Sequence, residues 1–301
     1  MRNVILAHLG LLFVAFIWGT TFVVVQHAVS LVEPFTFNAV RFLLAGIILL
    51  LIQLILPKQQ NTFSLRTNIG PGIVIGIFLF GGYLFQTFGL LYTTSSKAGF
   101  LTGLSIVMVP IFSFIFLRQK TGLFAVLGAI TATIGLFLLT AENSFTLNKG
   151  DILVLCCAVS FALHILVNGK YSQQYSALFL STIQILAVGV FSLISAILFE
   201  DWKVALSSSL WTNESFLFSL MLTALLATAL AFFVQTAAQK YTPPTRVAVI
   251  LAMEPVFAAL TGVIVANERL TATAIAGCAF ILFGMIFAEL PSKPKEKAQA
   301  T

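Results

Sequence analysis

QTAAQKYTPPTRVAVILAMEPVFAALTGVIVANE, residues 235–268, is the stretch on which the fold turns. It leaves one apolar run, turns at Tyr241-Thr242-Pro243-Pro244-Thr245-Arg246, and enters a second apolar run that carries Glu254-Pro255. The same design stands 149 positions earlier in QTFGLLYTTSSKAGFLTGLSIVMVPIFSFIFLRQ, residues 86–119. Gln86 matches Gln235, Thr87 matches Thr236, Tyr92 matches Tyr241, Thr93 matches Thr242 and Lys97 matches Arg246. Further on, Gly128 and Gly135 match Gly277 and Gly284. Chance supplies any one such match, but a fixed offset held over the whole stretch reads as an internal duplication.

Of the 301 residues, 59% are hydrophobic and only 9% are charged. Soluble domains carry about 25% charged residues, so this surface is made for lipid rather than water. The net charge of +6 comes from basic residues scattered singly between apolar runs. Nucleic-acid binding needs them gathered in one patch, and that partner is excluded. The run from Val4 to about Gln26 is longer than the core of a secretory signal and lacks a small-residue cleavage site; it reads as a retained first helix. Cys156, Cys157 and Cys278 lie in apolar runs without histidines at metal spacing, so they read as buried hydrophobes, and no metal or cofactor is expected.

A helix needs about 20 mainly apolar residues to span about 30 Å of hydrocarbon. Ten segments meet or approach this: 4–26, 34–56, 69–91, 98–117, 122–140, 151–168, 176–198, 216–238, 247–266 and 271–289. In lipid the backbone must satisfy its own hydrogen bonds, and runs of this length favour helices over the shorter strands of a barrel. With the amino terminus in the cytoplasm, eleven basic residues fall in inner regions and four in outer joints, which places both termini inside. The expected fold is an all-α membrane protein of ten transmembrane helices.

Each unit of the repeat then holds five spans, an odd number, so the second unit is inverted relative to the first. Two inverted five-helix repeats around a central cavity are a common plan of secondary transporters. The units are expected at 4–140 and 150–289, with 290–301 a disordered cytoplasmic tail.

Glu254 is the first candidate for function. A carboxylate about eight residues into a span is costly and normally faces the bundle interior or a water-filled cavity. Two readings stand: a cavity residue, or a structural partner for an internal arginine. Its repeat partner is Ser105, so the duplication is broken there. Arg41, inside the second span, suits a substrate carboxylate or the outer headgroups. Trp18 sits away from the interfacial belt and reads as cavity wall or core, while Gly19 permits close helix approach. His164 is a satisfied interior histidine or a proton relay, and Asn38 lines a path or joins helices. Gln86 and Gln235 read as part of the repeat framework. Pro110 and Pro255 each free a carbonyl one turn back and can act as hinges. The glycines spaced by seven suit tight packing or a dimer surface, so a monomer or a homodimer fits.

No phosphate loop, serine elbow or metal-spaced histidine pair is present, so no enzyme is expected. The residues do resemble a known group. Trp18-Gly19 with Phe22, Pro34 leading to Arg41, and Tyr92-Thr93 through Lys97-Ala98-Gly99-Phe100-Leu101-Thr102 look like the first unit of an EamA-type transporter of the drug/metabolite transporter superfamily. Gly150-Asp151, Glu254-Pro255-Val256-Phe257 and Glu268-Arg269-Leu270 are similar to the second. Arg118-Gln119-Lys120 departs from it, standing where many relatives place a Glu equivalent to Glu268. The resemblance implies a multi-pass protein of a bacterial cytoplasmic membrane, surrounded by lipid, that exports amino acids or related small metabolites by secondary-active or facilitative alternating access. It also implies that Trp18, Arg41 and Glu254 would line or support the cavity; the inverted repeat and the two deeply placed charges allow either proton-linked or facilitative transport. The alternative is a non-transporting scaffold or lipid-handling protein.

Overall fold

A computed structural model of the chain describes residues 2–56, 65–93, 95–118, 122–140, 148–266 and 271–290. The expected tail beyond residue 290, and the acid and arginine at 268–269, therefore lie outside the described residues. The first half of the chain forms α1 (Arg2–Leu31), α2 (Pro34–Ile55), α3 (Leu65–Gly89), α4 (Ser95–Gly103), α5 (Ser105–Leu117) and α6 (Leu123–Thr140). The second half begins with α7 (Lys149–Ser172) and α8 (Ala177–Phe199), followed by a 3₁₀ turn at Trp202–Leu206 and the short α9 (Ser208–Trp211). It continues through α10 (Glu214–Leu222), a π-helical segment (Thr223–Leu230), α11 (Ala231–Gln239), α12 (Pro244–Leu251), α13 (Glu254–Ala266) and α14 (Ala272–Glu289). Among the described residues the protein is all-helical and multi-pass. Eight spans among these residues are long and apolar enough to cross a membrane; the apolar helices at Leu123–Leu139 and Ala272–Ala288 are shorter.

The 149-residue offset reappears in the helix interruptions. The fourth and ninth expected spans are each broken in two, and their second pieces begin at Ser105 and Glu254, the matched positions. In both breaks the ladder tightens to a three-residue reach: Leu104 N–H bonds the Leu101 carbonyl at 3.2 Å, and Met253 N–H bonds the Ile250 carbonyl at 3.1 Å. Proline adds to the opening in each half. Pro255 has no N–H for the Leu251 carbonyl, and Pro110 has none for that of Ile106.

Matched helices also pack against each other. In the α6–α14 pair, a Cβ on Gly128 would lie 2.5 Å from the Gly284 carbonyl oxygen, and one on Gly277 would lie 2.6 Å from that of Gly135. Low numbers meet high ones, so the two helices run antiparallel with their backbones in contact. The α2–α8 pair is antiparallel too, with Gly46 against Leu186 and Gly189 against Leu43. The glycine spacing seen in the sequence thus serves a contact within the chain.

Two apolar clusters flank the centre of the molecule. Leu101, Leu136, Val249 and Ile281 belong to one, which joins α4, α6, α12 and α14. Phe42, Leu79, Ile185 and Phe232 belong to the other, which joins α2, α3, α8 and α11. At one end, the Glu200 carboxylate closes the start of α2 by accepting from the Phe35 N–H (2.8 Å), the Thr36 N–H (2.8 Å) and the Thr36 hydroxyl (2.9 Å). An anion on free N–H groups at a helix start is favourable through both hydrogen bonding and the helix dipole. Glu200→Ala is expected to cost about 1–3 kcal/mol, since three donors lose their partner. Thermal unfolding in detergent measures it, and Glu200→Asp should recover part of the loss.

Candidate solute cavity

Between the two apolar clusters lies a cavity of about 110 Å³. That is room for several waters or a compact solute. Trp18, Arg41, Ser105, His164, Glu254 and Pro255 all border it. With Gln86 and Gln235, which also line it, the structure brings together eight of the residues singled out from the sequence, although they come from seven different spans. Asn38 stands elsewhere: its amide donates to the Thr87 hydroxyl at 3.2 Å and joins α2 to α3. Pro110 is buried within α5 and does not border the cavity, whereas Ile106, whose carbonyl it leaves free, does.

Residues from matched positions line this space in pairs. Gln86 and Gln235 both line it, as do Tyr83 and Phe232, whose ring centroids are 6.2 Å apart. Ser105 and Glu254 make a third such pair. The Tyr83–Phe232 match lies on the same offset but is lost in the sequence among the many other aromatics; its place in the cavity lining makes it conspicuous. Phe161, Thr21 and Thr102 complete the aromatic and hydroxyl lining without having been singled out.

Glu254 opens α13, so its carboxyl group sits where the helix dipole favours negative charge. Gly19 makes this possible. A Cβ at that position would fall against the Glu254 carbonyl oxygen and lie 2.9 Å from the Ala258 nitrogen, so only glycine lets α1 pack on the break. The Glu254 side chain makes no hydrogen bond to another described residue, and it is not sealed in the core but borders the cavity.

Arg41 is held differently. It is only 2% exposed, its Nε donates to the Thr228 hydroxyl at 2.7 Å, and its guanidinium lies 5.3 Å from the ring centroids of both Phe42 and Tyr83. Aromatic faces offset part of the cost of burying a cation. No ion pair within 4.0 Å joins Arg41 to Glu254. The two opposite charges border one cavity without neutralising each other directly.

His164 enters the cavity wall from α7 and is bonded through Nε2 to the Gln184 Oε1 of α8 at 2.8 Å. From there a buried polar chain runs on: the Gln184 amide donates to the Thr236 hydroxyl at 3.1 Å, and the Asn168 amide donates to the same hydroxyl and to Gln239. Gln239 in turn donates to the Ile165 carbonyl at 2.8 Å. Such a network ties α7, α8 and α11 together, because each unpaired polar group in a dry interior would be costly. Among the described residues no group of three His, Cys, Asp or Glu side chains can hold a metal ion.

A bundle of long apolar helices around a cavity with polar and charged lining defines the class: a multi-pass membrane protein. The chain belongs to the EamA-like transporter family, whose model matches it twice, at residues 5–141 and 148–289. It is similar to an uncharacterized transporter of Archaeoglobus fulgidus, with 35% identity over 94% of this chain and 86% of that one. It is also similar to the uncharacterized transporter YoaV of Bacillus subtilis, with 23% identity over 92% and 94% of the two chains. A solved crystal structure shares the fold with a TM-score of 0.77 and 21% identity, over 94% of this chain and 98% of the other. Family membership makes this a transport protein of the cell membrane rather than an enzyme.

Proposed function

We propose that this chain is a secondary-active or facilitative transporter that moves amino acids or related small metabolites out of the cytoplasm by alternating access. The observation that carries the reading is the cavity itself, lined from both halves by a carboxylate with no ion-pair partner among the described residues, a separately held guanidinium and four aromatic rings. In this reading ten spans form two inverted five-helix repeats, 4–140 and 150–289, with both termini in the cytoplasm. The antiparallel α6–α14 and α2–α8 pairs and the matched helix breaks support that arrangement. Glu254, Arg41, Trp18, His164 and Ser105 are the solute or coupling residues. Gly19, Pro110 and Pro255 let the broken helices rock, and Asn38 acts from the framework behind them.

The test is reconstitution of the purified protein into liposomes with a uniformly ¹⁴C-labelled L-amino acid mixture. Proton gradient and membrane potential are imposed separately. Counterflow of label that depends on the protein supports the reading, and acceleration by the proton gradient alone identifies the coupling ion. Absence of flux under every gradient rejects amino acids as the cargo.

A further inference from the structure

The second half differs from the first at one conspicuous place. Its third span is not a plain α-helix: Thr223–Leu230 is π-helical, whereas the matched stretch of α3 is regular. π turns inside α-helices are uncommon and concentrate at functional sites. Here the irregularity has a definite bonding consequence. Ala231 N–H reaches back five residues to the Leu226 carbonyl, so the Ala227 carbonyl is passed over by the donor an α-helix would give it. That carbonyl accepts instead from the Trp18 indole N–H at 2.8 Å. One residue further, the Thr228 hydroxyl donates to the Thr223 carbonyl five residues back, at 2.8 Å, and accepts from Arg41 Nε at 2.7 Å.

One irregular turn therefore aims two cavity residues that arrive from two other helices. Thr228 also departs from the duplication: its match on the 149-residue offset is Leu79, which is apolar. A hydroxyl buried in a membrane helix is costly unless it is bonded, and here its bonds run to the backbone of its own helix and to Arg41 of another.

We infer that Thr228 is the positioning residue of the cavity: its hydroxyl holds the π turn open, and the open turn fixes the Trp18 indole and the Arg41 guanidinium at the solute site. The inference rests on the transport reading for its significance, but not for its test. In a plain α-helix Thr228 would bond four residues back and the Ala227 carbonyl would take its ordinary backbone donor. The carbonyl and the hydroxyl would then be displaced from the indole and the guanidinium that they now meet.

The test uses the full-length protein in lipid nanodiscs, with Trp202→Phe and Trp211→Phe leaving Trp18 as the sole indole. Two NMR signals are followed in ¹⁵N-labelled protein: the Trp18 Nε1–H, and the Arg41 Nε–H, the latter identified by its loss in Arg41→Lys. In Thr228→Val both signals are expected to shift upfield together, and in Thr228→Ser both should return to their original positions. If Thr228→Val does not fold, Thr228→Ala gives the same comparison. Signals left in place by loss of the hydroxyl overturn the inference, as do signals that move in Thr228→Ser as far as in Thr228→Val. No solute is needed, so a failure of amino acid flux in liposomes leaves this result readable on its own.

Discussion

Glu254→Gln is expected to abolish proton-driven flux in liposomes while leaving the protein folded. Glutamine has the shape of glutamate and fits the start of α13, where Gly19 presses on the backbone rather than on the side chain. What the substitution removes is a group able to take up and release a proton, together with a negative charge that no described residue neutralises directly. Two outcomes separate these roles. If the carboxylate carries the coupling proton, Glu254→Gln loses acceleration by an imposed proton gradient but keeps exchange of label between equal solute pools. If it holds a cationic group of the solute, exchange falls as well, by about tenfold or more for a loss near 1.4 kcal/mol in a charged contact. Glu254→Gln with unchanged flux at every pH would remove this residue from the mechanism. Glu254→Asp supplies the control, since it keeps the charge and retracts it by one methylene.

The second large effect is expected at the crossing of α6 and α14. Gly277→Leu places a side chain where the Gly135 carbonyl already lies 2.6 Å from the first added carbon. The obstacle is backbone, which cannot turn aside as a rotamer can, so the helices must separate along their whole contact. Overpacking in soluble cores costs about 1–3 kcal/mol, and two forced-apart backbones should exceed that range. The expected result is loss of the monodisperse peak in detergent and a sharp fall in membrane yield. Gly277→Ala should show a milder form. If Gly277→Leu purifies normally with an unchanged unfolding temperature, the close α6–α14 approach is wrong.

Much of this architecture was readable because duplication leaves a periodic trace. The offset that pairs Gln86 with Gln235 also sets the starts of α5 and α13 and the partners of the glycines in α6 and α14. A residue whose type is rare in lipid is likewise easy to notice, which is why Arg41, Glu254 and His164 stood out. Other features left no comparable mark. The π turn depends on a hydroxyl that is ordinary in a membrane helix, and its meaning arises only from an arginine 187 positions away. Asn38 looked like a cavity residue because an amide in an apolar run is costly wherever it points; its direction toward Thr87 is set by packing and not by composition. The lengths of helices also slipped. The segment expected at 151–168 extends over Lys149–Ser172, because the Asn148–Asp151 capping box starts it earlier and the polar residues beyond 168 remain helical.

Ser105 and Glu254 occupy matched places and border the same space, so this protein carries one acid where a symmetrical ancestor of two identical halves would carry either two or none. Two carboxylates there would repel each other in a medium that screens poorly, and two serines would leave no acid at either place. Fusing the halves into a single polypeptide lets the difference be inherited as a fixed assignment. Each molecule then has a single carboxylate at this pair of matched places, whichever way it faces.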